Sequence, residues 1–326
     1  MGSLIPELLT ADGFSMGKSA FFEEHKNKLW FLTLRQFLRH KMAVFGMIIM
    51  AVIVLMVVFV DQIVPYDPET PDLNNMLSPP SLQHPFGTDE LGRDMFTRTM
   101  YGGRVSLIVG VFAMLVGVII GTLIGAIAGY FGGTIDNLLM RFTDFALAFP
   151  RIFVLILFAI IFMRPPFSDN PIVVLVFGAL YKMSVARVVV VIGILGWMDV
   201  ARLVRGSFLE IRNQEYVESA RVLGANTGRI MFRHILPNAL GPIIVAASLG
   251  VADAIISESG LSFLGLGIQP PTATWGNMLK NALDQIFAAP WTAIIPGFMI
   301  FLTVLSINYI GDGLRDAFDP RLRTHR

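Results

Sequence analysis

The sequence predicts an all-α fold, a polytopic bundle of six transmembrane helices with both termini in the cytoplasm. Three observations carry this expectation. The 326 residues are 54% hydrophobic and only 15% charged, with a mean hydropathy of +0.66, outside the range of ordinary soluble domains. Long uncharged apolar blocks recur along the chain, sufficient at about 1.5 Å per residue to cross about 30 Å of hydrocarbon. Arginines gather in two places, between 202 and 233 and after 310, and short basic segments belong on the cytoplasmic side.

The elements follow in order. Residues 1–41 contain Lys18, Lys26, Lys28, Arg35, Arg39 and Lys41 and are expected inside, as a cytoplasmic N-terminal segment. Met42–Val60 is uncharged and forms span one. The stretch 61–104, rich in Pro, Asp and Asn, reads as an extended outside loop followed by a short helix; its Arg93, Arg98 and Arg104 are diluted by acids. Span two, 106–130, carries Gly117, Gly121, Gly125 and Gly129 in one line along a helix. Such a ridge suits close packing inside the bundle, a subunit interface or a pathway wall.

Residues 132–151 hold Asp136, Arg141, Asp144 and Arg151, and Pro150 marks a kink, so that span three uses both sides of that proline. The stretch 164–187 reads either as an outside loop with an interfacial piece or as an extension of span three. Span four covers 188–204, with Asp199 and Arg202 toward its cytoplasmic end. Span five, 239–263, is interrupted by Asp253 and Glu258, and span six, 291–310, is uncharged. Counting 171–181 as a seventh span would push the arginine-rich loop outside, so parity favours six. The membrane domain is thus expected at 42–310, and 311–326 as a cytoplasmic tail.

Several function classes fall away. With no cysteine there is no disulfide, thiolate metal site or cysteine nucleophile, and the five histidines are scattered without metal-ligand spacing. A net charge of +1 without a basic field gives no sign of nucleic acid. No H-E-x-x-H pattern suggests a membrane enzyme. A stand-alone secondary transporter or channel is the rival class, but only Asp253 and Glu258 lie deep in a span and no duplication of broken spans is visible.

The segment "EYVESARVLGANTGRIMFRHILPN", 215–238, stands between spans four and five and reads as two short helices with a hinge. Tyr216, Val217, Ala220 and Leu223 are apolar positions on the first. Gly224 sits where a helix ends through a left-handed residue, and Asn226 or Thr227 caps the second. Ile230, Met231 and Ile235 are its apolar side, Arg229 and Arg233 its basic side, and Pro237 is expected to end it. Such an elbow can dock into a groove on a soluble partner or lie on anionic headgroups.

This segment resembles the EAA loop of ATP-binding cassette importer permeases. The matching residues are Glu218, Ser219, Ala220, Gly224, Leu236 and Pro237, with Ser219 in place of the first alanine and His234 at a position usually apolar. "FGTDELGRDMFTRTMYGGRVSL", "LSFLGLGIQPPTATWGNML" and "GDGLRDAFDPRLR" look like the C-type subunits of the oligopeptide and dipeptide branch, a resemblance covering about 30–323.

The resemblance implies a coupling loop at about 205–238, including Glu215, Glu218, Ser219, Ala220, Gly224, Arg229, Arg233, His234, Leu236 and Pro237. It implies as partners a homologous permease forming a heterodimer, two ATPase subunits that bind ATP and Mg, and an extracytoplasmic solute-binding protein facing loops 61–104 and 267–290. The chain itself has no G-x-x-x-x-G-K-[ST] loop, so no cofactor is expected on it and it is not expected to be an enzyme. The expected location is the cytoplasmic membrane of a bacterium or archaeon, with lipid around the spans. Peptides are the leading solute, with oligosaccharides or nickel chelates as alternatives.

Three polar residues inside spans are candidates for the pathway or gate. Glu258 matches an acidic position of the related permeases, and reads either as a pathway residue or as a structural hydrogen-bonding group. Asp253 and Asn308 carry the same two readings.

Overall fold

The computed structural model describes residues 33–163 and 183–318; readings made for 1–32, for most of 164–187 and for 319–326 lie outside them. The described residues contain no strand, only an isolated antiparallel bridge between Thr88 and Asp94. Four helices are long and apolar enough to cross a membrane. These are α1 (Lys41–Val58), α2 (Met95–Phe131), the continuous Thr227–Phe263 and a last helix at Trp291–Phe318. Two bent pairs raise the number of candidate spans to as many as six if each pair is one span.

Helix α2 is the hub of the bundle. Its 37 residues extend about 55 Å at a rise of about 1.5 Å, well beyond a hydrocarbon thickness of about 30 Å. The separate short helix expected before span two does not exist, because "MFTRTMYGGRV" is the first turns of α2 itself. Asp94 begins that helix: its Oδ2 accepts from the Thr97 backbone N–H and from Thr97 Oγ1, both at 2.7 Å.

The loop before α2 is a folded plug. Asp89 Oδ1 accepts from the backbone N–H groups of Leu91 and Arg93, both at 2.9 Å, and Oδ2 accepts from Arg93 Nε at 2.8 Å. Arg98 approaches the same carboxylate at 3.3 Å and donates to the Pro68 carbonyl at 2.7 Å. All three charged side chains are buried. The sequence reading missed this cluster, counting Arg93 and Arg98 only as loop charges diluted by acids. The available signal was the four-residue spacing of Asp89 and Arg93 around Gly92, whose φ is +74°.

After α2, α3 (Gly133–Leu147) and α4 (Arg151–Met163) meet at 87°, so the proline marks a right-angle corner and not a modest kink. Helices α5 (Ser184–Leu195) and α6 (Trp197–Ile211) meet at 42° across Gly196, where a span without a break was expected. Hydropathy alone hides both pairs. Helices α3 and α6 carry charges that pair with each other: Arg205 with Asp136, and Arg202 with Asp144 at 2.5 Å.

The short α7 (Glu215–Val222) leads through a turn at Thr227–Arg229 and a wide π turn at Ile230–Ile235 into α8 (Leu236–Phe263). Helix α9 (Trp275–Ala282) begins with a capping box between Thr274 and Asn277, and α10 (Trp291–Phe318) closes the chain. The last helix runs on past Ile310, the expected end of span six. Helix α10 packs on α1 and α8, while α2 packs on α5, α6 and α8.

Candidate functional site

The elbow is held to the bundle by apolar contact. Val217 on α7 and Ile230, Met231 and Ile235 on the turn after it are buried, in one cluster with Val200, Val204 and Phe208 of α6. At the foot of the loop Arg212 Nη1 donates to the carbonyls of Gly129 and Tyr130 at 3.0 and 3.1 Å, a cation at the C-terminus of α2.

Helix α7 ends in a Schellman turn. The Ala225 N–H donates to the Ala220 carbonyl and the Gly224 N–H to the Arg221 carbonyl, both at 3.0 Å, and Gly224 has φ +78°. Nothing lies within 4 Å of where a Gly224 Cβ would stand, so the glycine serves the backbone conformation and not the packing. Asn226 Oδ1 then accepts from the Arg229 N–H at 2.8 Å and caps the next turn.

Pro237 does not end the second helix. It sits in the first turn of α8, within a helical run that is continuous from Thr227 to Phe263. The π turn lets the Leu236 N–H reach the Met231 carbonyl, five residues back. This widening accommodates a ring that would otherwise crowd the carbonyl four residues before it.

The outer face of the elbow has a definite character. Val222 and Leu223 are 81% and 86% exposed, and with Glu215, Glu218 and Ser219 they border an open hollow. Glu218 pairs with Arg221 on its own helix at 2.9 Å, in the open, and so does not tie the elbow to its stem. Partial burial pushes the Tyr216 phenol above its ordinary value, which leaves it neutral at physiological pH. Ser219 Oγ donates to the Glu215 carbonyl at 2.9 Å, and the His234 carbonyl accepts from Asn238 Nδ2 at 2.7 Å. Ala220, His234 and Leu236 are half-buried, while Arg229, Arg233 and Pro237 are exposed.

Three of the ridge glycines of α2, Gly121, Gly125 and Gly129, face α6, and Gly117 faces the break between α5 and α6. A Cβ at Gly121 would stand 2.6 Å from the Trp197 carbonyl oxygen, and one at Gly129 would stand 2.6 Å from Phe208 Cβ. At Gly117 it would meet the Gly196 carbonyl carbon at 3.1 Å, and Gly125 lies as tightly against Ala201 and Val204. The ridge is therefore a seam within the chain.

The three polar candidates separate. Glu258 is fully buried at a junction of α2, α8 and α9, with Ser262 Oγ donating at 2.7 Å and Ser106 Oγ at 3.2 Å. Those hydroxyls in turn accept from the Ile268 and Trp275 backbone N–H groups at 3.2 and 3.4 Å. Asn308 is exposed on α10 and does not line the cavity. Asp253 does line it: a cavity of about 350 Å³ between α2, α8 and the α5–α6 bend, bordered also by Arg151 and Asp199. Among the described residues no group of His, Asp or Glu is arranged to hold a metal ion.

Helices long and apolar enough to cross a membrane border a cavity and carry a projecting elbow, and the comparisons with known proteins place this arrangement among membrane transport components. Residues 121–324 match the family model described as binding-protein-dependent transport system inner membrane component. Residues 28–80 match the N-terminal TM domain of oligopeptide transport permease C. The chain belongs to this family of binding-protein-dependent permeases. It is 39% identical over 295 residues to the oligopeptide transport system permease protein OppC of Bacillus subtilis (strain 168), covering 90% of each chain. It is 41% identical over 295 residues to the dipeptide transport system permease protein DppC of Alkalihalophilus pseudofirmus, covering 90% of this chain and 91% of that one. It is 42% identical over 295 residues to the glutathione transport system permease protein GsiD of Escherichia coli O157:H7, with the same shares covered.

Proposed function

We propose that the chain is one permease subunit of an ATP-driven peptide importer, paired with a homologous permease and served by two ATPase subunits and an extracytoplasmic binding protein. In this reading each bent pair is one span, giving six, and both termini are cytoplasmic. The membrane domain is 42–310, flanked by cytoplasmic segments 1–41 and 311–326, and the membrane is a bacterial inner membrane. The relatives, permease proteins of oligopeptide, dipeptide and glutathione transport systems, support peptides as the solute.

The observation that carries the coupling role is the outer face of the elbow. Two nearly naked aliphatic side chains, Val222 and Leu223, stand beside two carboxylates, Glu215 and Glu218. Covering a Val or Leu side chain is worth about 1.5–3 kcal/mol, which favours an apolar partner surface. Charge does not decide between the two surfaces, because Glu218 is already paired with Arg221, and Arg229 and Arg233 are exposed on the same elbow; the bare aliphatic pair is what favours a protein groove. The ATPases are the partners that must move with the bundle.

The chemistry of the cycle then lies in the partners. ATP with Mg closes the ATPase pair and brings the two elbows together; the apolar root of each elbow passes that motion to α6 and α8. The cavity is thereby exchanged between inward-facing and outward-facing states, and hydrolysis resets it. Nucleotide biases an equilibrium that the bundle already possesses.

Reconstitution of this chain with its permease, ATPase and binding-protein partners in proteoliposomes tests the reading. Peptide uptake is expected to require ATP and the binding protein. Gly224→Trp is expected to insert normally and hydrolyse ATP with uptake lost. ATP-independent flux through this chain alone would overturn the reading, and normal uptake by the Gly224→Trp complex would remove the coupling role from the elbow.

A further inference from the structure

We propose that Arg151, Asp199 and Asp253 form a two-signed binding point in the cavity, holding the carboxylate and the ammonium of a zwitterionic peptide during passage. The proposal rests on the importer reading above and names the residues of this chain that touch the solute.

The first support is convergence. All three side chains border one cavity of about 350 Å³, whose other walls are mainly apolar residues such as Met114, Ile192 and Leu249. The cavity lies against Ala113–Val118, near the middle of the 37-residue α2.

The second support is the missing protein partners. Arg151 Nε is buried and has no hydrogen-bond partner, and neither Asp199 nor Asp253 makes an ion pair or side-chain hydrogen bond among the described residues. Other charges of the same elements are matched, Asp136 with Arg205 and Asp144 with Arg202. Asp199 and Asp253 are exposed where they border the cavity and so are open to water or to a solute, while the buried, unpartnered Arg151 Nε is the group whose cost an occupant would relieve.

The third support is where the backbone breaks. Arg151 is the first residue of α4, directly after the 87° corner, and Asp199 lies in the first turn of α6, after the 42° bend. A Cβ at Gly196, within that second bend, would lie 3.9 Å from Arg151 Nη2, so the guanidinium reaches from one break to the other. Broken helices bring charged groups to solute paths in membrane transporters.

The pair of signs selects the ligand class. Carboxylates alone would favour a cation, whereas a guanidinium adds a fork suited to a carboxylate. A peptide carries both termini, and the apolar walls, including the adaptable Met114, tolerate differing side chains between them.

The test uses the complete importer in proteoliposomes, with labelled trialanine as the probe, comparing wild type with Asp199→Asn, Asp253→Asn, Arg151→Gln and Asp253→Glu. Uptake per ATP hydrolysed is expected to fall about tenfold in the three neutralised variants, the loss of one hydrogen bond to a charged group. Stimulation of ATPase activity by the loaded binding protein is expected to persist, and Asp253→Glu should keep most uptake. Unchanged uptake per ATP in all three neutralised variants would overturn the proposal. Joint loss of uptake and ATPase stimulation, unrelieved in Asp253→Glu, would overturn it in favour of a structural role. A wild-type complex that carries maltose but no trialanine would sink the peptide reading itself, and this proposal with it.

Discussion

Gly224 shows how one residue acts through backbone alone. Its φ of +78° lies where an L side chain costs about 1–2 kcal/mol, yet the space around it is open. Size and strain can therefore be separated: Gly224→Asn, which tolerates the left-handed region, should retain coupling, while Gly224→Val should lose it, as read by uptake per ATP. Glu258 acts in the opposite way, through contacts. Its carboxylate gathers Ser106 and Ser262 from two helices at a junction sealed from the cavity. Glu258→Ala leaves buried hydroxyls without their acceptor, a cost of about 1–3 kcal/mol. A lowered thermal midpoint in detergent, with uptake per folded complex retained, is the expected result; full stability with lost transport would restore Glu258 to the pathway. Sequence could place both acids in one span but could not say which faced the cavity, since five residues of separation is compatible with either assignment.

At the scale of elements, the α2–α6 seam is the tightest contact of the bundle near the elbow. With the Trp197 carbonyl 2.6 Å from the position of a Gly121 Cβ, Gly121→Leu must drive the helices apart. Overpacking of this kind costs about 1–3 kcal/mol, and the expected readout is a reduced monodisperse fraction on size exclusion. A fully folded, fully active variant would show that the seam is not needed. The four long apolar helices were legible in the sequence because hydrophobic length is a local property. The break at Pro150 was legible from the proline, though not its angle; the bend at Gly196 was not, and neither were the charges matched between elements far apart in sequence, as with Arg205 and Asp136. The folded loop before α2 was missed for the same reason: an arginine that is buried beside Asp89 looks, in a sequence, like one in water. The continuation through Pro237 needed the π turn before it, which no propensity announces.

At the scale of the whole molecule, only 22–28% of the most apolar 18-residue window of each long candidate span is buried, and the remaining apolar surface is left for lipid or another subunit. The elbow projects from one end of α6 and α8 with its aliphatic face uncovered. These two kinds of uncovered surface divide the proposed partners: membrane and homologous permease along the spans, ATPases at the elbow.

Docking of the elbow on an ATPase can be tested without background, because the chain contains no cysteine. Leu223→Cys, at a position 86% exposed, would carry a thiol-linked photo-crosslinker in the assembled complex in liposomes. The account predicts a covalent product with an ATPase subunit, in a yield that changes on adding ATP and Mg. Crosslinking to lipid alone, indifferent to nucleotide, would contradict it.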